Sequence, residues 1–367
     1  MQLQLQNVVA GLALLVPNAV ALLRFSCSQL VTERLDPLVN PGVTGTPHLH
    51  QAFDGPEEPR HPFTSDMHHL HLCRRFLELL VCDGRDTSDA YTEQTAVLYF
   101  QARNGTFKRV PQKPNAGFES AKGGMTVYYI PVISGTGKVT AFKPGFRMIV
   151  GNPTNRNASN VPRQLTFTCL KDIYTRTGET KEFPKEPCPA GIMVNVRFPT
   201  CWDGVTLDPP DHASHVAYPS SGTFESNGPA SPPVLPRIQT SFKRNTLVTN
   251  LNAQCPATHP VKIPQLFYEV VWDTTAFNNK AEWPADGSQP FVWSFGRQIG
   301  YGNHGDYVFG WKGDALQKAM DSNCYINCPQ LKTQSIQQGN QCSVKDIVGE
   351  QIDGWLKELP GGMPVDK

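Results

Sequence analysis

The sequence predicts a mainly β protein, an antiparallel β-sandwich of jelly-roll type with long loops and a few short helices, cross-linked by disulfides. Three observations predict it. Proline (32) and glycine (30) are abundant in the 367 residues, which breaks the chain into short segments. Runs rich in Val, Ile, Tyr, Phe and Thr recur with turn residues between them. Ten cysteines are scattered without the repeated C-x-x-C pairs of a zinc ribbon, the usage of a chain that folds in an oxidising compartment.

The elements follow in order. The apolar run Val8–Leu23, interrupted by Pro17, has the length of a secretory h-region, with small residues Ala19 and Ala21 for cleavage, so residues 1–21 are read as a signal peptide. The run is too short for a membrane span of ~20 residues. Residues 30–55 carry Pro37, Pro41, Gly42 and Pro47 and read as loop. The segment 61–91 holds His68, His69 and His71 ahead of a leucine-rich run and reads as a surface loop with a short helix, Arg74–Val81. "TAVLYFQARNGTFKRV" reads as a hairpin about Asn104-Gly105. "GGMTVYYIPVI", "GFRMIVGNP", "QLTFTCL", "GIMVNVRFPTCW" and "QLFYEVVWD" read as further strands. Residues 227–238 form a proline-rich loop. Helical spacing is confined to 313–323, where Leu316, Ala319 and Met320 share a face, and to 343–362, where Ile347, Ile352, Trp355 and Leu359 form a stripe. Asn104-Gly105-Thr106 and Asn157-Ala158-Ser159 are N-glycosylation sequons, as a secreted glycoprotein carries.

The net charge of +1, from 33 basic and 32 acidic residues, gives no reason to expect a nucleic-acid partner. Four short segments concentrate reactive side chains. In "PHLHQAFDG", His48 and His50 lie two apart, so an extended chain puts both on one face, as metal ligation or proton transfer needs. In "LDPPDHASHVAYPS", Asp211, His212, Ser214 and His215 crowd a proline-bracketed loop. There is no G-x-S-x-G turn, so proton transfer, metal ligation or sugar binding fits better than a serine hydrolase elbow. In "LFYEVVWD", Glu269 and Asp273 share a strand face with Phe267 and Val271, which suits either a buried ion pair or a general acid. In "GYGNHGDYVFGW", glycines surround Tyr301, His304, Asp306, Tyr307 and Trp311, a composition for close approach to a sugar ring or for a turn over core aromatics.

Taken in order, "FSCSQLVTERLDPLVNPG…PHLHQ", "NGTFKRVPQ", "FRMIVGNP", "FPTCWDG", "LDPPDHASHVAYP", "CPATHPVKIPQLFYEVVWDT" and "GYGNHGDYVFGW" resemble the fungal secreted proteins of the DUF1996 class. The resemblance implies a β-rich domain over 28–322, secretion, and a fold similar to extracellular polysaccharide-active proteins. It leaves 323–367 as a C-terminal extension packing on the domain. Residues 56–94 depart from the family pattern, which is consistent with a mis-spliced gene model. The resemblance also suggests that the H-x-H and D-H-x-S-H segments belong to one site. The expected catalytic set is therefore His50, favoured over His48, with His212, Ser214 and His215 on the open face of the sandwich. Tyr218, Glu269, Asp273, Tyr301, His304 and Asp306 are the expected substrate-binding groups. Tyr218 or Tyr301 would serve as acid and Arg147 or Arg197 would face a uronate carboxylate. No cofactor is identified. The expected activity is lysis or hydrolysis of an extracellular or cell-wall polysaccharide, with no membrane partner once the signal is removed. The alternative is a non-enzymatic cell-wall or metal-binding protein that uses the same histidines.

Overall fold

Strand alternation sorts the side chains into two faces, and the computed structural model shows where each face goes. It describes residues 23–366 apart from 37, 42, 55–91, 132–138, 220–253, 312, 323–327, 329–330, 332–334 and 344. The strands are β1 (Leu23–Glu33), β2 (His50–Asp54), β3 (Thr92–Ala96), β4 (Leu98–Gln101), β5 (Phe107–Arg109), β6 (Met125–Ile130), β7 (Arg147–Gly151), β8 (Leu165–Leu170) and β9 (Arg176–Thr180). They continue with β10 (Ile192–Arg197), β11 (Cys201–Trp202), β12 (Val216–Ala217), β13 (Val261–Lys262), β14 (Gln265–Trp272), β15 (Phe291–Trp293), β16 (His304–Val308) and β17 (Trp355–Leu356). Two short helices follow the domain, α1 (Ala315–Met320) and α2 (Ile336–Gly339).

Ten strands form one antiparallel sheet in the order β7-β16-β3-β2-β1-β6-β14-β10-β8-β9. Smaller sheets run β15-β4-β5-β17 and β12-β11-β13. The long sheet curls over itself. Tyr268 on β14 donates its hydroxyl to the Asp306 carbonyl on β16 at 3.1 Å, although four strands separate them in the sheet order. A Cβ on Gly305 would come within 2.9 Å of Val196 Cγ1 on β10, so the strand end can cap the sheet middle only through a glycine. The inside of this curl is the core, with Tyr129, Tyr268, Tyr307, Trp272, Trp293, Phe100 and Phe146 fully buried. Disulfides Cys169–Cys188 and Cys201–Cys255 are present.

The opposite face of the sheet middle is polar yet closed. Glu269 on β14 is ion-paired to Arg176 at 2.6 Å and accepts hydrogen bonds from Tyr128 and Asn115, each at 2.7 Å. Burial pushes its carboxyl up, but Arg176 and these donors hold it below the ordinary value. Beside it, Arg197 forms two hydrogen bonds with Glu179, at 2.8 and 3.1 Å. Both side chains are buried, so Arg197 is committed to that carboxylate and does not face a substrate.

Several expectations need revision. The run 343–362 is not a helix. Gly349 and Gly354 sit at φ +64° and +86°, left-handed conformations that end helical repeats, and Trp355–Leu356 pairs with β5 instead. The loop read as 30–55 is shorter, because β1 runs to Glu33 and β2 starts at His50. The signal segment, the 61–91 segment with its histidines and helix, and the 227–238 loop lie outside the described residues.

Removing one partner from the Arg197–Glu179 pair strands the other charge in the interior. Arg197→Met is expected to destabilise by about 3–5 kcal/mol in chemical unfolding. Arg197→Met/Glu179→Leu should recover most of that loss, and a double variant as unstable as the single would refute the account.

Candidate metal centre

The register of the sheet's first five strands lines up one row of residues on its outer face. Glu33 on β1 lies opposite His50 on β2, and His50 lies opposite Ala96 on β3. The pairing of Gly305 with Thr95 brings His304 on β16 beside Ala96, and His304 lies opposite Gly151 on β7. Directly opposed residues share a face. His50 and His304 therefore flank an alanine, whose single methyl leaves room for two imidazoles to lean together. Their ring centroids are 6.3 Å apart. His48 reaches the same point from the loop that leads into β2, 4.3 Å from the His50 ring and 5.5 Å from the His304 ring. One nitrogen from each ring lies within 4.8 Å of the other two. Among the described residues this is the group of histidine, cysteine and carboxylate side chains arranged to hold a metal ion.

The surroundings fix which nitrogens are available. His304 Nδ1 is 2.9 Å from the Gly302 carbonyl, so it carries the proton and leaves Nε2 as the donor lone pair. The His50 ring is hydrogen-bonded to the Leu35 carbonyl, and its Nε2 is 3.9 Å from Asp36 Oδ2. Its buried Nδ1 has no partner, nor does the buried Nε2 of His48. We assign His48 Nε2, His50 Nδ1 and His304 Nε2 as the ligating atoms. A backbone carbonyl or carboxylate on the far nitrogen is the usual support for a metal-bound imidazole. His50 and His304 are buried, and His48 is half-buried as a residue with its Nε2 closed off from solvent.

Electrostatics keep the rings in the ligating form. Burial lowers the pKa of all three: His48 well below its ordinary value, His50 to about 3, and His304 more modestly. For His48 and His50 the neighbouring imidazoles add to the effect. Two carboxylates stand beside the triad. Asp36 Oδ1 accepts the Leu38 and Val39 amides at 3.0 and 2.7 Å, which holds the carboxylate toward His50. Asp306 follows His304 by two residues on the same face of β16. It is buried with Oδ1 unpartnered, and burial, then Asp36, raises its pKa well above the ordinary value. Three nitrogens bound to one tetrahedral zinc at ~2.0–2.1 Å lie about 3.3 Å apart, so a modest inward movement of the rings would complete the site. An all-imidazole donor set without thiolate suits zinc, copper or nickel, not calcium or magnesium.

The other expected site residues lie elsewhere. The 207–217 loop runs along the outer edge of β7, where the Arg147 amide donates to Leu207 O and the Ile149 amide to His212 O. β7 is three strands from β2, about 14 Å at the usual strand spacing. His212 and His215 therefore do not join His50, because the loop they occupy covers the sheet edge and not the row that carries the triad. His212 adopts φ +50° and its Nδ1 is bonded to Asp208, which sits 3.6 Å from Arg147. Ser214 Oγ donates to Asp211 Oδ1 at 2.9 Å, closing a turn. His215 is buried against Phe146, at 4.9 Å between ring centroids. Tyr218 donates to the Arg197 carbonyl at 2.7 Å. Tyr301 donates to Glu182 at 2.5 Å, a bond that with burial raises its hydroxyl to about 12. Asp273 faces Lys113 at 3.7 Å. Of the expected set, the structure brings together His50, His304 and Asp306. It adds His48 as a full member and Asp36, which the sequence reading did not single out although it stands in the same "RLDPLVNPG…PHLHQ" tract.

Fold and centre together define a curled antiparallel β-sandwich protein with a three-histidine cluster at one end of its main sheet. The chain belongs to a family known as a domain of unknown function, DUF1996, whose signature matches residues 36–311. No characterised protein and no solved structure shows significant similarity to it.

Histidines held neutral in the fold make the metal-free protein acid-sensitive. The unfolded chain takes up protons below its ordinary histidine pKa of 6.5, while His50 resists to about 3. Stability contributed by this group is complete above pH 6.5 and falls as the pH drops below it, by about 1.4 kcal/mol per unit. Urea unfolding of chelator-treated protein between pH 7 and 4.5 should show this slope, and His50→Gln should flatten it. Identical slopes for the two proteins would refute the assignment.

Proposed function

We propose that this protein is an extracellular metalloprotein in which His48, His50 and His304 hold one divalent transition metal, with a coordination position left for water or a substrate oxygen. The observation that carries the reading is the convergence of three unprotonated imidazoles, two from one end of the chain and one from the other, on a shared point. Structural zinc sites fill four positions with protein ligands, whereas catalytic sites use three and keep the fourth open. Here three imidazoles form the compact set, and the two carboxylates stand outside it. When bound, such a metal would act as a Lewis acid on an oxygen ligand. Asp36 would then orient His50, and Asp306, buried with an unpartnered oxygen, would accept or return a proton beside the open position.

The substrate class carried forward from the sequence is an extracellular or cell-wall polysaccharide, cleaved by hydrolysis or elimination. The strained His212, bonded to Asp208 with Arg147 alongside, supports a second reading, in which this surface pair serves as an acid–base group for an anionic glycan. Secretion is supported by the disulfides Cys169–Cys188 and Cys201–Cys255 among the described residues and by both sequons lying at exposed turns, with Thr106 Oγ1 donating to Asn104 Oδ1 at 2.7 Å.

Protein purified without chelator and dialysed against zinc should retain one equivalent by elemental analysis. His50→Ala and His304→Ala should abolish retention, and His212→Ala and His215→Ala should leave it intact. A wild-type chain that retains no metal, or a His304→Ala variant that still does, would refute the metal reading. In a glycan screen, turnover lost on chelation and on His304→Ala assigns chemistry to the triad. Turnover that survives chelation but not His212→Ala assigns it to the surface pair. Expression through a secretory host should add glycans at Asn104 and Asn157, seen as a mass loss on endoglycosidase treatment that Asn104→Gln and Asn157→Gln each reduce.

A further inference from the structure

The loop that delivers Asp36 and His48 is gripped by the far end of the chain. Arg34, the residue after β1, spreads its guanidinium over three acceptors. It donates to the Gly45 and Thr46 carbonyls at 3.0 and 2.9 Å and to Glu350 at 2.6 Å. Its own carbonyl accepts the Thr46 amide at 2.9 Å, so both ends of the 34–46 loop are closed on one residue. The second oxygen of Glu350 accepts the Gly361 amide at 2.7 Å. One position earlier, Glu33 lies directly opposite His50 and accepts the Ile347 and Val348 amides at 2.9 and 3.3 Å. Val348 and Cys342 pack on Leu30, Val31, Leu35 and Ala52. Ala52 shares the face of His50, so the C-terminal segment lies on the same sheet face as the triad, one strand from it.

We propose that residues 345–361 are a strap that belongs to the metal centre, fixing the 34–48 loop and so setting how closely His48 and Asp36 stand to His50 and His304. This rests on the metal reading of the triad. The physical reason is pre-organisation: a loop that supplies one ligand and one orienting carboxylate loses conformational freedom when metal binds unless it is already held. Arg34 and Glu350 are mostly shielded, at 19 and 24% side-chain exposure. The strap's ion pair Arg109–Asp353 has its carboxylate 66% exposed and ties the strap to β5, not to the loop. The Arg34 guanidinium serves its acceptors from two separate nitrogens, Nε and Nη1, a spread that a lysine ammonium, with its three donors on one nitrogen, does not reproduce. The strap lies beyond residue 311, where the family match ends, so the family region alone would lack part of its own site.

The test uses the full-length chain, with zinc affinity measured by competition against a chromophoric chelator and site geometry read from the absorption of bound cobalt(II). Glu350→Gln and Arg34→Lys should weaken zinc binding on the order of 10-fold or more, as loss of outer support does, and should change the cobalt spectrum while far-UV dichroism stays native. Asp353→Asn, which removes the exposed pair, should change neither. Val348→Ala trims the apolar anchor without altering charge and should weaken binding in the same direction. If all three strap variants bind zinc as tightly as wild type with the same cobalt spectrum, the strap proposal is overturned and the metal reading stands. If the wild-type chain binds neither metal, the metal reading itself fails.

Discussion

Three imidazoles packed together, two of them with a buried nitrogen that has no hydrogen-bond partner, in a place too dry to protonate them, are the constraint around which this molecule is arranged. A buried polar atom left unpartnered costs about 1–3 kcal/mol, and protonation would add like charges at close range. A metal ion would resolve both problems together, since it would replace the missing donors and would need the rings neutral. Acid sensitivity of the metal-free fold and affinity for a metal would then have the same origin. The fold tolerates the cluster because each ring is fixed by something else: His304 by the Gly302 carbonyl, His50 by Leu35 with Asp36 close by, and His48 by a tilted contact with His50 and edge-on contacts with His304 and Phe295.

The two faces of the main sheet divide the work. Inside the curl, aromatic side chains from β4, β6, β14, β15 and β16 interlock and supply the apolar burial. Outside the sheet middle, Arg24, Tyr128, Glu269 and Arg176 form one polar network, and Arg197 with Glu179 and Thr166 forms another. These side chains are buried and mutually engaged, so their place is in the architecture. The candidate chemistry falls at the sheet's other end, where β16 and β2 carry imidazoles toward the outer face. Gly151 makes that end possible. Its φ of +87° and the Asn303 carbonyl pressed against its α-carbon leave no space for a side chain, so β7 and β16 can approach only with glycine there.

Much of the fold was legible because strand alternation is local. β6, β7, β8, β10 and β14, and the hairpin turn at Asn104-Gly105, are written in residues that are neighbours in sequence. The C-terminal segment was misread for a related reason. Its apolar stripe has helical spacing, yet Gly349 and Gly354 adopt left-handed conformations that the spacing cannot reveal. The centre was half legible. His48 and His50 could be paired from their spacing alone, and His304 and Asp306 stood out within a glycine-rich tract. Their meeting depends on the pairing of β2, β3 and β16 and on the small size of Ala96, neither of which any short stretch encodes. The 207–217 segment shows the opposite case. It is rich in reactive side chains, but backbone bonds from β7 hold it along the sheet edge, away from the row it was expected to join.

The topology explains why the chain's two ends meet at this point. The loop bearing Asp36 and His48 leaves β1 at one side of the triad row and must return to start β2 beside it. A loop of that length held at its ends by hydrogen bonds alone would sample many arrangements. Arg34 ties its far side back to its start, and Glu33 and Arg34 are in turn held by amides and a carboxylate from residues 347–361. The segment that does this is extended and glycine-punctuated because it must follow the sheet surface, reaching β5 through Trp355 and Leu356. A helix there would satisfy its own amides internally. As an extended strap it offers them to Glu33, the residue opposite His50, and in that way a segment more than 300 residues further along the chain is bonded to the wall of the site.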